Sequence, residues 1–376
     1  MDTTLENSCA IPLDGIYYRA PGVSRELRSF PEGGPINIYK SSFRIPDRNT
    51  KSVPVRVYVP VSERDWKISV RDYEAPEYLT EDVYQNSRNI SPNGWADPDP
   101  SVDADDPTFG SMFKKFNPIW LRGIQRDING SILHPYGRTG IRGQGVLGNR
   151  HVNEAVDPIV LHLDSRVVKV LLIKRNPTDT SDNSWAIPGG MVDYKPDTDS
   201  YSIPNRLGSL LTSSRVEAPP SLSKASIPAS SHAADEYMAH VGDALRELRE
   251  ETGFRGKISY QKLLAQMYSD DVRNTDTTWI VTSLFLMIAD SAYPVAGDGV
   301  ETAVAEWVPI YKAFTLDFFA SHRQMILAAI RYYVVRSFAD RGLQGSVSHH
   351  RAYIYLREVP DLNLPYTFGN LINITE

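Results

Sequence analysis

Ala244-Leu245-Arg246-Glu247-Leu248-Arg249-Glu250-Glu251-Thr252-Gly253-Phe254 is the stretch on which the reading of this chain turns. Its spacing is helical. Glu247, Glu250 and Glu251 stand at i, i+3 and i+4, so three carboxylates share one face. Met238, Val241, Leu245 and Leu248 form a neighbouring apolar stripe suited to burial. Gly253 stands where a helix stops in a left-handed residue. Acids crowded at a helix C-terminus repel one another and face the unfavourable end of the dipole. Positive charge is therefore expected beside them. Arg246 and Arg249 supply part of it, and a divalent cation would supply more. The plainer reading is a solvated face of Arg–Glu pairs.

The chain has 376 residues and a formal net charge of −6. That length allows two or three domains, or one enlarged domain with a companion. The acidic balance argues against a nucleic-acid or membrane-surface binder, so an anionic ligand must be held by local arginines or a metal. Cys9 is the single cysteine, which rules out an intramolecular disulfide. The N-terminus resembles neither a secretory signal nor an Arg-rich transit peptide. The longest apolar run, near Trp279–Ala289, is too short to cross a bilayer. A cytoplasmic monomer without membrane or nucleic-acid partners is the expectation, with a mitochondrial destination left open.

Outward from the glutamate helix, the texture changes twice. Residues 1 to 150 read as an N-terminal domain poor in regular structure. It begins with an extended arm and contains one alternating strand, Val53–Val59. Residues 137–148 are glycine-dense and include Gly143-x-Gly145-x-x-Gly148. They lack the preceding strand and opening helix that a dinucleotide fingerprint needs, so an irregular linker or ligand-edge loop is expected. From Asp157 the pattern is regular. Strands are predicted at Pro158–Leu163, Val167–Lys174, Ile258–Tyr268, Thr277–Ala289 and Val304–Ile310. Trp185 to Asp193 reads as a short strand entering a glycine turn. A long helix is predicted over Leu316–Asp340, with Met325, Ala328, Ala329 and Tyr332 on one face. The segment 194–234 is rich in Ser and Pro and reads as a disordered insertion. Residues 341–376 form a tail with one strand at Ala352–Leu356. The class is α+β, a mixed sheet with a helix on each side; the regular domain spans 151–340.

The string Arg246-Glu247-Leu248-x-Glu250-Glu251-x-Gly253-Phe254 resembles the C-terminal part of the Nudix box. Trp95-Ala96-Asp97-Pro98, Gly137–Gly148, Ala155-Val156-Asp157-Pro158-Ile159, Trp185–Asp193, Asp270-Asp271-Val272-Arg273-Asn274-Thr275-Asp276 and Ala320-Ser321-His322 extend the likeness. Together they resemble the ADP-ribose pyrophosphatase family of Nudix hydrolases, which is related to the ADP-ribose-binding domain of a TRP-family cation channel. The likeness covers about residues 60–335 and implies a Nudix α/β/α sandwich. One departure stands out. About 42 residues are inserted between Gly190 and Arg246, and Met238 falls where the box has its first Glu. Closing the longer loop costs only roughly 2 kcal/mol.

The resemblance implies that Glu247, Glu250 and Glu251 hold Mg²⁺, or Mn²⁺, against a substrate diphosphate, a role suited to hard oxygen ligands. It implies that Arg246 orients a glutamate and that Arg273 meets a phosphate. Asp271, and less strongly Asp276, would accept from ribose hydroxyls. Gly189 and Gly190 would let the backbone approach the diphosphate. His322 reads as a packing or capping histidine, and Trp185 as core. The implied activity is Mg²⁺-dependent hydrolysis of ADP-ribose to AMP and ribose 5-phosphate. The alternatives are a non-catalytic ADP-ribose sensor, or a hydrolase of another nucleoside diphosphate derivative.

Overall fold

A computed structural model describes residues 16–19, 54–91, 93–97, 125, 127, 132–163, 167–176, 184–192, 231–299 and 302–341. The predicted Ala352–Leu356 strand, most of the extended arm and most of the 194–234 insertion lie outside the described residues. The last residues of that insertion, from Ser231 on, already belong to the glutamate helix.

Two long strands, β4 (His151–Leu163) and β9 (Thr278–Ala289), run parallel at the centre of the main sheet. Around them the order is β1 (Ile16–Arg19), β8 (Ile258–Tyr268), β9, β4, β5 (Val168–Arg175), β10 (Thr302–Pro309). All other pairings in this sheet are antiparallel, so the sheet is mixed, as expected. Two short strands cross it: β6 (Trp185–Ala186) pairs with β5, and β7 (Gly190–Met191) pairs with β4.

The period-two alternation of the strands sorts their side chains to two faces. Val156, Val160, Leu171, Phe285 and Met287 lie on one face beneath α2 (Ser231–Thr252), where Val241, Ala244 and Leu248 cover them. Ile159, Leu161, Val170, Leu172, Leu284 and Leu286 lie on the other, beneath α4 (His322–Arg341). There Met325, Ala328, Ala329 and Tyr332 pack as one buried face, as their spacing predicts. A central strand covered on both sides has no face for polar residues, and every residue of β9 is buried. Ala244, rather than Leu245, completes the buried line of α2. Gly253 closes that helix at φ +64°, its N–H bonded to the Arg249 carbonyl at 2.9 Å.

Two predicted elements differ. Of the strand expected over Val53–Val59, the described residues 54–59 form no ladder. Pro54 brings no donor, and the segment's bonds go to the glycine-dense loop instead, with Val57 N–H on the Gly140 carbonyl at 2.8 Å. The long helix starts at His322 instead of Leu316. Residues 317–319 are held extended by Trp185, which donates to the Asp317 carbonyl at 2.8 Å and accepts from Phe319 at 2.9 Å. Ala320 then takes a positive φ of 45°, which breaks any helical run. The short helix α3 (Ile310–Ala313) occupies the end of the strand predicted to reach Ile310.

The N-terminal part contributes a small parallel pair, β2 (Glu77–Leu79) with β3 (Arg142–Gly145), and the short helix α1 (Glu81–Gln85). Residues 132–149 do not stand apart from the sheet. Ile132 and Tyr136 pack with Tyr268, Trp279 and Val281 at the end of β8 and β9. His134 Nε2 lies 2.9 Å from the Tyr268 hydroxyl, which also accepts from Asn274 Nδ2 at 2.7 Å.

Candidate functional site

The glutamates of α2 meet the glycine turn between β6 and β7. Gly189 N–H donates to Glu251 Oε2 at 2.8 Å. At Gly190 an added Cβ would lie 2.5–2.6 Å from the Glu247 carboxylate. The two glycines thus bring backbone against carboxylates. Gly189 is hemmed in from the sheet side as well, where a Cβ would meet the Val156 carbonyl at 2.5 Å and Asp157 Oδ1 at 2.6 Å. On the opposite face of the sheet, His322 Nδ1 accepts the Ile187 N–H at 2.9 Å. One short turn is therefore gripped from α2 and from the start of α4.

The positive partner that crowded acids require is Arg246. Its Nη1 lies 2.9 Å from Glu247 Oε1 and 3.0 Å from Glu250 Oε2. Glu250 projects outward with its side chain 60 % exposed, while Glu251 is buried. The three carboxylates share a helix face, yet no group of three or more His, Cys, Asp or Glu side chains is gathered tightly enough to form a ready cation cage among the described residues. The donor chemistry suits a hard divalent cation. Such a cation would compete with Arg246 for Glu247 and Glu250.

Asp271 and Arg273 form a closed pair. Arg273 Nε and backbone N–H both reach Asp271 Oδ1, at 2.9 and 2.8 Å, and Nη2 reaches Oδ2 at 2.8 Å. Burial alone would raise the Asp271 carboxyl, but the Arg273 charge and its bonds hold it below the usual carboxylate range. Asp271 thus orients Arg273, in the loop where a ribose acceptor is expected. The Arg273 side chain stays 20 % exposed, and its described bonds leave Nη1 uncommitted. Asp276 lies deeper. It is 1 % exposed, with Oδ1 accepting from Thr139 N–H at 2.6 Å and Thr139 Oγ1 at 2.8 Å, and Oδ2 accepting from the Tyr73 hydroxyl at 2.7 Å. It ties the N-terminal part to the loop. Burial raises its carboxyl.

Asp157 was not singled out as a site residue from the sequence. Thr282 Oγ1 donates to its Oδ2 at 2.7 Å, and His322 Nε2 lies 4.0 Å from Oδ1. Burial holds His322 below the usual imidazole range. Asp157 and Asp271 pull it up, while Arg175 and Arg273 push it down. Asp157 also acts on the charge of Arg273. Asp157, Arg175, Asp271, Arg273 and His322 are therefore one charged neighbourhood behind the Gly189 turn. The available signal was a lone carboxylate inside the apolar run Ala155–Leu163, a residue no core strand retains without a partner.

Comparison with known proteins meets this geometry at both ends of the chain. The family model described as "NUDT9-like, N-terminal domain" matches residues 59–149. The mitochondrial ADP-ribose pyrophosphatase of Rattus norvegicus is 27 % identical over 292 residues, which is 72 % of each chain. The chain is similar to that pyrophosphatase over most of the length of both. Putative nudix hydrolase 6 of Caenorhabditis elegans is 28 % identical to this chain over 212 residues, 51 % of the chain and 60 % of the worm protein. A transient receptor potential cation channel subfamily M member-like 2 of Nematostella vectensis is 26 % identical over 280 residues; these cover 69 % of this chain but only 15 % of the channel. Its relatives thus include named hydrolases and a channel. No described helix is long and apolar enough to cross a membrane.

Proposed function

We propose that this chain hydrolyses the diphosphate of ADP-ribose, releasing AMP and ribose 5-phosphate, with Mg²⁺ as the metal and Mn²⁺ as a substitute. The observation that carries the reading is the closure of Glu247 and Glu251 on the Gly189–Gly190 turn, with the Asp271–Arg273 pair in the charged neighbourhood behind it. The name of the rat relative supports the choice of substrate.

Glu247, Glu250 and Glu251 would hold the cation. When bound, it supplies positive charge to the diphosphate oxygens and acidifies water. The protein's own residues do the rest. Arg246 keeps Glu247 and Glu250 together until the substrate complex forms. The Gly189 N–H fixes the rotamer of Glu251. Arg273, held rigid by Asp271, presents its free Nη1 to a substrate phosphate as a charge-assisted donor. A water attacks one phosphorus, the anhydride P–O bond breaks, and a carboxylate of α2 takes the proton of the water.

A second reading is binding without cleavage. One observation favours it: Arg246 fills the place between Glu247 and Glu250, and no ready carboxylate cage exists among the described residues. Incubation with ADP-ribose and Mg²⁺, with AMP followed by chromatography, separates the two. Release of AMP that stops with EDTA and returns with Mg²⁺ is expected. Glu251→Gln keeps an acceptor for the Gly189 N–H and should fold, while turnover falls by about 10²-fold, the scale of one lost transition-state stabiliser. Tight binding with no AMP under either metal would establish the sensor. Faster cleavage of another nucleoside diphosphate derivative would reassign the substrate.

A further inference from the structure

We propose that Arg56, far from the glutamate helix in sequence, is a positioning residue for the Arg273 loop, so that the N-terminal segment sets how tightly the site takes its ligand. The inference rests on the reading of Arg273 as a ligand-contacting residue. Arg56 Nη2 donates to the Val272 carbonyl at 2.8 Å and to the Asn274 carbonyl at 2.9 Å, the two residues flanking Arg273. Its Nη1 donates to the Thr139 carbonyl at 2.7 Å. Pinning the carbonyls on both sides of one residue fixes the peptide planes from which its side chain leaves. Arg273 is held by its side chain and its own N–H to Asp271, so a small rotation of its backbone would shift that pair and the guanidinium with it.

The anchor is itself anchored. Thr139 is bonded to Asp276, whose other oxygen takes the Tyr73 hydroxyl, and that hydroxyl accepts the Gly140 N–H at 3.0 Å. Val57 N–H closes the circuit on the Gly140 carbonyl. Gly140 stands at φ +79°, and a Cβ there would lie 1.8 Å from the Val57 carbonyl, so the contact requires glycine. A guanidinium is the side chain that meets three carbonyls in fixed directions; an ammonium is a single point of charge. Arg56 acts on the peptides that flank Arg273 and on the Thr139 carbonyl, so its effect belongs to ligand affinity and leaves the bond-breaking step alone.

The test uses the full chain with Arg56→Met and Arg56→Lys, ADP-ribose and Mg²⁺ in steady-state kinetics, and amide hydrogen exchange across residues 269–278. Arg56→Met should raise KM by about tenfold, the scale of one lost charge-assisted bond, with kcat nearly unchanged and faster exchange confined to the loop. Arg56→Lys should recover part of the loss. Unchanged KM, or kcat falling in step with it alongside general loss of protection, would overturn the inference. If wild type neither cleaves nor binds ADP-ribose, the proposed function fails by itself. Exchange then decides for Arg56: a selective rise at 271–276 upholds the positioning role, and an unchanged loop removes it.

Discussion

A methyl group added at Gly190 and one added at Gly189 meet two different kinds of neighbour. At Gly190 the obstacle is the end of the flexible Glu247 side chain, at 2.5–2.6 Å. Gly190→Ala should displace that carboxylate while leaving the melting temperature within a few degrees of wild type, and turnover should fall by about 10²-fold. At Gly189 the obstacle includes the Val156 carbonyl, which belongs to a central strand and cannot move aside. Gly189→Ala should cost about 1–3 kcal/mol, as overpacking does, visible as a lower denaturation midpoint. Equal stability losses in the two variants would mean that the turn is not held as described. Arg273→Ala needs similar care, because it leaves Asp271 buried without its cation, which costs about 3–5 kcal/mol. Arg273→Lys keeps the charge and loses the bidentate geometry, so it is the variant in which ligand affinity should fall while the fold survives.

At the scale of elements, the stop of α2 matters because Glu250 and Glu251 lie in its last turn. Gly253 holds φ +64° in open space; a Cβ added there would find its nearest described neighbour, the Ala296 carbonyl, at 3.8 Å. The cost of Gly253→Ala is therefore conformational and not steric. A loss of about 1 kcal/mol is expected, with the dependence on urea concentration unchanged. A much larger loss would reveal a contact that the cap does not show. The spacing of Glu247, Glu250 and Glu251 made this helix and its stop legible from the sequence, since both follow from local periodicity and the left-handed freedom of glycine. The late start of α4 was not legible. It depends on Trp185, well over a hundred residues earlier in the chain, holding residues 317–319 extended.

For the whole molecule, acid should be the weak point. Burial lowers His134 to about 3, with Arg56 pushing the same way and a bond from Gly137 opposing. His322 is lowered too, by burial first. Both are neutral when folded and take up protons when unfolded. Their folded pKa values lie below the unfolded value, so stability is full above pH 6.5 and is lost as pH falls toward the folded values. Each costs about 1.4 kcal/mol per pH unit in that window. The Asp271 contribution disappears at lower pH, as its carboxylate takes a proton and the ion pair with Arg273 is lost. Asp276, raised by burial, acts in the opposite sense over its own range. Thermal melting should be flat near pH 7–8 and fall steeply below about 6; His134→Gln should flatten that slope even if it lowers the starting value. A second expectation follows from the Tyr268–Trp279–Ile132 cluster and the bonds of Asp276. A fragment beginning at residue 151 should be poorly soluble, because it uncovers these aromatic groups. A soluble, cooperatively melting fragment would show that the regular domain stands alone.

The sequence by itself determined the five long strands of the main sheet, the glutamate helix, its cap, the buried face of α4 and the family resemblance. These depend on alternation, helical spacing and short strings whose meaning is local. Only the tertiary structure decided what the polar residues do. It tied the buried Asp276 to Tyr73 and Thr139, and it closed Asp271 onto Arg273. It brought Asp157 behind the Gly189 turn and set Arg56 across the Arg273 loop. A buried polar group takes its role from whichever partners satisfy it, and apart from the Asp271–Arg273 pair those partners lie dozens to more than two hundred residues away. Periodicity along a chain carries no record of them.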